Sequence, residues 1–141
     1  MKALKSIILG LALLVASTVA NASQKQTAGV LTKEDVLNTY VNAVVHGKID
    51  GLENILANDV KYVITRGEKE YTLDKKRILE SFKPSENIEQ GCTYTTAVID
   101  ETKNGMVVKL IMKYDTYIRT NLITISMSRS DFKISKIETE S

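Results

Sequence analysis

The sequence predicts an α+β fold: a curved antiparallel sheet rolled into a cone, closed by three helices that precede most of it. Two patterns predict this. Between Thr32 and Phe82, apolar residues recur at helical spacing in three blocks, each opened by a capping residue and threaded with short strand-like stretches. From Thr93 to Thr139 the period shortens to two, and polar turns divide the chain into four long segments. Helices gathered on one side of an antiparallel sheet make an α+β domain. Long twisted strands curl, and helices close the open side.

The first residues stand apart from that domain. Lys2 and Lys5 give a positive start, and Ser6 to Val19 is an almost unbroken apolar run ending at Ala20-Asn21-Ala22. This is the layout of a cleavable signal peptide. The run of about 14 residues is shorter than the roughly 20 a membrane span needs. No cysteine follows it to carry a lipid. The expectation is cleavage after Ala22, export to the periplasm or beyond, and no membrane attachment afterwards. The whole chain has 19 Lys+Arg and 17 Asp+Glu; residues 1–22 hold two lysines and no acid, so the remainder is neutral, 17 against 17. A neutral chain without tryptophan gives nucleic acid little to bind. Residues 23–31 read as a flexible polar leader and residues 32–141 as one domain, large enough to hold its own core. Cys92 is the only cysteine, so no intrachain disulfide can form; it reads as a small buried residue.

Thr32 is placed to cap the first helix, with Asp35 three residues on and Leu31 and Val36 flanking as a hydrophobic staple. Val36, Leu37, Tyr40, Val41, Val44 and Val45 form its apolar stripe, and Gly47 closes it. Asp50 starts a short second helix whose buried side is Leu52, Ile55 and Leu56. Val60, Tyr62 and Ile64 then alternate as a strand, Gly67 turns the chain, and Tyr71 to Leu73 return. Asp74 caps a third helix, Lys75 to Phe82, and Pro84 marks its end. The four long segments are Thr93–Ile99, Met106–Tyr114 running on to Ile118, Arg119–Arg129, and Phe132–Thr139. The first two are joined by a polar turn over residues 100–105.

The stretch VLNTYVNAVVHGKIDGLENILANDVKYVI, Val36 to Ile64, resembles the entry to the nuclear transport factor two-like superfamily, and the likeness extends over roughly Thr32 to Glu138. That superfamily includes ketosteroid isomerases, polyketide cyclases of the SnoaL type and many exported bacterial proteins without known activity. The resemblance implies the cone-shaped α+β fold; for function it implies little, because the fold hosts unrelated activities. The C-terminal stretch KYDTYIRTNLITISMSRSDFKISKI looks like a bacterial subgroup labelled lumazine-binding, a label that names a group rather than a ligand.

Laid on the isomerase pattern, the tyrosine of the oxyanion hole falls on Tyr40 and the proton-abstracting base on Ile64, which holds no proton. The second oxyanion acid belongs on the Arg119–Arg129 strand, which contains no Asp or Glu. No catalytic residue is therefore assigned. His46 is the only histidine, which leaves no zinc set and only one partner for a serine triad. No glycine-rich phosphate loop is present, and no cofactor or metal is expected. Tyr62 shares a face with Ile64 and points into the cone by the two-residue period. Met112 and Tyr114 lie on one face of their strand with Val108 and Leu110. Asp115 reads either as part of an exposed face with Lys109 and Lys113 or as a general acid or base at the cone mouth. Arg119 can pair with Asp115 or with an anionic ligand.

The expected pocket lining is thus Tyr40, Tyr62, Ile64, Met112, Tyr114, Asp115 and Arg119. The leading expectation is a non-enzymatic domain holding a small, largely apolar molecule. An isomerase- or cyclase-like enzyme and a protein-interaction module are the alternatives. The Thr/Ser-rich strand face of Leu122, Thr124, Ser126 and Ser128 predicts a homodimer across the outer side of the sheet.

Overall fold

The computed structural model describes residues 30–140. The export-type segment 1–22 and the leader up to residue 29 lie outside the described residues. Helix α1 spans Lys33–His46. A capping box sets its start: Thr32 Oγ1 accepts from the Asp35 N–H and the Asp35 carboxylate accepts from the Thr32 N–H, both at 3.1 Å. Leu31 packs on the core beside buried Val36, completing the staple. Gly47 ends the helix in the left-handed region, φ 70°, with its N–H donating to the Asn42 carbonyl.

Helix α2 is a single turn, Leu52–Ile55, that runs straight into β1, Leu56–Arg66. Leu56 therefore begins the strand instead of ending the helix, and the pairing of β1 is interrupted between Leu56 and Lys61. Strand β2, Lys69–Leu73, folds back on β1. Helix α3, Lys75–Phe82, is capped by Asp74, whose carboxylate accepts from the Arg77 N–H at 3.0 Å, and is followed by a 3-10 turn at Lys83–Ser85. Then come β3 (Thr93–Thr102), β4 (Gly105–Lys113), β5 (Ile118–Ser128) and β6 (Asp131–Glu140).

The strands form one open curved sheet in the order β2-β1-β6-β5-β4-β3. The run β3 to β6 is an antiparallel meander. Strand β1 lies parallel to β6, so the sheet is mixed at that one junction instead of wholly antiparallel. The expected continuation of β4 to Ile118 is cut at Lys113, where the Tyr114 N–H donates to the Tyr117 carbonyl at 2.9 Å and closes a tight turn. The residues there, Tyr-Asp-Thr-Tyr, carry no glycine or proline to announce it.

In β4 the residues alternate cleanly: Met106, Val108, Leu110 and Met112 are buried while their neighbours stay open. The buried face meets Val36, Tyr40 and Val41 of α1, Leu52 and Ile55 of α2, and Ile78 of α3. All three helices lie on this concave side. Ile123, Ile125, Ile134 and Ile137 fill the deep end of the cone without exposure above 1%.

Candidate functional site

The concave face changes character along β5. Ile125 and Ile123 belong to the packed core; two residues on comes Asn121, buried and polar; two more comes Arg119, half-buried. Side chains two apart share a face, so the strand itself carries the chain from core to mouth. Across the sheet, Ile64, Thr139, Asn121 and Leu110 are register partners on β1, β6, β5 and β4. The polar level of the cone is therefore a row held by strand pairing.

At that level four side chains join in one hydrogen-bonded relay. The Tyr40 hydroxyl donates to Asn121 Oδ1 at 2.7 Å, Asn121 Nδ2 donates to Thr139 Oγ1 at 2.7 Å, and Thr139 Oγ1 donates to the Tyr62 hydroxyl at 2.8 Å. The direction follows from burial. Tyr40 is wholly inaccessible, so its O–H must find an acceptor inside the protein. With that proton committed to Asn121, each later group passes its donor outward. Tyr62 accepts from Thr139, lines the cavity, and its hydroxyl also neighbours that of Tyr40. Phe82 packs edge-on against Tyr40, ring centres 6.4 Å apart, and fixes the buried ring.

Above the relay lies a cavity of about 320 Å³. Its sheet wall is Tyr62, Ile64 and Arg66 of β1, Leu73, Tyr114, Arg119 and Asn121; its roof is Ala43, Val44, Ser81, Phe82, Ser85 and Gln90. A larger cleft of about 550 Å³ lies outside the cone, between Ile49–Asn54 and α3, and mixes lysines with glutamates in a more open setting. The buried relay and half-buried Arg119 mark the smaller cavity as the candidate site.

The sequence-predicted residues fall into three groups. Tyr62, Ile64, Tyr114 and Arg119 line the cavity together. Tyr40 lies beneath it and reaches it only through Asn121. Met112 is wholly buried in the core, and Asp115 stands exposed in the Tyr114–Tyr117 turn; neither lines the space. Asp115 leaves the wall because the strand expected to carry it ends two residues earlier. Arg66 and Gln90 line the cavity without having been expected there, and so does Asn121, to which the Arg-Thr-Asn run shared with the resembled subgroup already draws interest. Asn121 had a readable signal, since it follows Arg119 by two on one strand; Arg66 and Gln90 had none. The expected apolar interior is accordingly divided. Isoleucine, leucine and methionine fill the deep part, and the vacant part is walled by both apolar and polar groups.

Electrostatically the wall is one-sided. Arg66 and Arg119 line it, no Asp or Glu does, and neither arginine makes an ion pair among the described residues. Burial pushes the Tyr40 phenol well above its usual range; the neighbouring Tyr62 hydroxyl adds to this and Arg119 opposes it. The Tyr114 phenol is pushed up to about 12, first by burial, then by the Cys92 thiol beside it, with Arg119 again opposing. Both phenols are thus neutral donors at any physiological pH. Tyr114 stacks on Tyr117 at 4.5 Å and 11° between planes, and the Arg119 guanidinium sits 5.8 Å from the Tyr117 ring centre. Cys92 is half-buried, more open than its expected core position. Among the described residues no three His, Cys, Asp or Glu side chains converge as a metal set.

No protein-family model matches the sequence, and no curated protein matches it significantly. Solved structures do match by shape. A nuclear transport factor two-like protein of unknown function from Silicibacter pomeroyi superposes with a TM-score of 0.61 at 12% identity, over 74% of this chain and 88% of the other. A second such protein, from Shewanella baltica, gives 0.59 at 7% identity over 75% and 87%. A candidate ketosteroid isomerase from Shewanella frigidimarina gives 0.54 at 15% identity over 75% and 92%. At these identities the likeness is one of architecture alone. The chain has the nuclear transport factor two-like fold.

Proposed function

We propose that this chain is an exported small-molecule-binding domain that holds its ligand in the 320 Å³ cavity above the Tyr40–Asn121–Thr139–Tyr62 relay and performs no isomerase-type proton transfer. The observation that carries the reading is a preformed cleft lined by Arg66, Arg119, Tyr62 and Tyr114 with no carboxylate in its wall. Its volume is at the small end of ligand pockets, which run from about 300 to 1,000 Å³. Abstraction of a proton from carbon needs a base in reach of the substrate. The position where the resembled isomerases carry theirs is Ile64, and Asp115 lies on the exposed turn. Export rests on the charge and hydropathy pattern of residues 1–22, and the mass of the secreted or periplasmic protein tests it: a chain beginning at Ser23 is expected. A second copy covering the convex face of the sheet is the partner we propose.

Thermal-shift screening with a metabolite library tests binding. One compound class should raise the melting temperature, because a ligand that binds only the folded state stabilises it by mass action. Ile64→Trp, which fills the cavity from β1, should abolish that shift. Unchanged shifts in the filled variant would place the ligand elsewhere and end the reading.

A further inference from the structure

We infer, building on that binding reading, that the ligand class is a small organic carboxylate and that Arg119 is the residue that selects it. Arg119 Nε is a buried donor with no hydrogen-bond partner among the described residues. Buried donors are nearly always satisfied, so an unpartnered one at a cavity wall marks where an acceptor from outside belongs. The side-chain pairs that form lie elsewhere: Lys33 meets Glu101, Lys136 meets Glu138 and the His46 ring meets Glu89. Arg66 and Arg119 meet no acid among the described residues, and both line the same cavity.

The relay supplies an independent observation. The Tyr62 hydroxyl, which accepts from Thr139, lies on the same cavity wall. A planar guanidinium and a nearby phenol match the two oxygens of a carboxylate, which accepts and cannot donate. The Arg119 guanidinium lies 5.8 Å from the centre of the Tyr117 ring, which is itself stacked on Tyr114, so the cation keeps an aromatic neighbour at the cavity wall. Val44, Ile64, Leu73 and Phe82 also line the cavity, beside the polar Ser81, Ser85 and Gln90, and suit the hydrocarbon body of a small acid. A neutral amide of the same shape would turn a donor toward Arg119 and lose this match.

Calorimetric titration of the purified protein at pH 7 tests the inference with three matched pairs: benzoate and benzamide, phenylacetate and phenylacetamide, hexanoate and hexanamide. At least one acid should bind about tenfold or more tighter than its amide, the scale of a hydrogen bond to a charged group. Arg119→Gln should bring acid and amide to near equality, and Arg119→Lys should restore part of the preference. Equal binding of every acid and amide by the unsubstituted protein overturns the inference without any need for a variant. So does a preference that survives in Arg119→Gln, or tighter binding of inorganic phosphate than of any of the acids. If amides and acids bind alike and Ile64→Trp blocks both, the cavity reading stands and the carboxylate assignment falls. If none of the six binds, the carboxylate assignment falls and the library screen with Ile64→Trp decides the cavity reading.

Discussion

Asn121 is the residue on which the site's geometry turns. It accepts from Tyr40 and donates to Thr139 while only 1% exposed, so it couples a buried phenol to the cavity wall. Asn121→Leu fills similar volume but leaves the Tyr40 hydroxyl without an acceptor. The expected loss is about 1–3 kcal/mol in urea denaturation, the cost of stranding a buried polar group. Tyr40→Phe should cost less than that range's upper end, and the double variant less than the sum of the two, since removing both partners leaves neither stranded. Strict additivity would mean the bond contributes nothing. The sequence made Tyr40 readable as an apolar-stripe tyrosine needing a partner. It could not name the partner, which lies 81 residues away and is fixed by strand register. Tyr62 and Ile64 were readable because period two decides facing locally. Asp115 was misplaced because its position depended on where β4 stops, and the turn there has no sequence punctuation.

At the scale of elements, the ends of α1 were the most legible feature, whereas α2 starts from Gly51 with no side-chain cap instead of from the expected Asp50. The Thr32–Asp35 box and the Gly47 stop are local chemistry, and both stand where the residues put them. Gly47 also does something the sequence did not reveal. Its carbonyl accepts from the Asn87 N–H at 2.7 Å, and the Val45 carbonyl accepts from the Gln90 N–H at 3.0 Å, so the end of α1 ties down the segment that carries the roof residues Ser85 and Gln90. A Cβ at Gly47 would press on the Ser85 carbonyl and lie 2.7 and 2.8 Å from the Ile88 N and O, all backbone atoms that cannot swing aside. Gly47→Ala should therefore cost more than the about 1–2 kcal/mol of a left-handed alanine alone and should weaken ligand binding by shifting the roof. Gly67 shares the left-handed conformation, φ 63°, yet has nothing within 4 Å. Gly67→Ala should show the conformational cost only, with binding unchanged. Equal losses in the two variants would mean that the contact at Gly47 is relieved by backbone movement.

At the scale of the whole molecule, the fold class was readable and the closure of the sheet was not. Alternation gave the antiparallel meander, but the parallel docking of β6 on β1 joins the two ends of the domain and leaves no local trace. That junction is also what brings Thr139 and Tyr62 into contact, so the site inherits the one topological feature that sequence periodicity cannot express. The same architecture leaves the convex face uncovered. Every described helix packs on the concave side, while Val107, Ile111 and Leu122 stand half-buried outside among Thr120, Thr124, Ser126 and Ser135. Lys109, Lys136 and Glu138 share that face beside Leu122 and Thr124, and a face mixing apolar, hydroxyl and oppositely charged groups suits a self-complementary contact between two copies, in which each residue meets its own symmetry region. Light scattering at micromolar concentration should then give about twice the chain mass, and the melting temperature should rise with protein concentration, because assembly stabilises the folded chain by mass action. Leu122→Glu tests the contact directly. At a half-exposed position the substitution should change the monomer's own stability little, yet at the dimer it sets carboxylates on both copies against the apolar part of that face. The variant should scatter as a monomer and lose the concentration dependence of its melting. A wild-type chain that already scatters as a monomer would remove the second copy from the account and leave the convex face solvated.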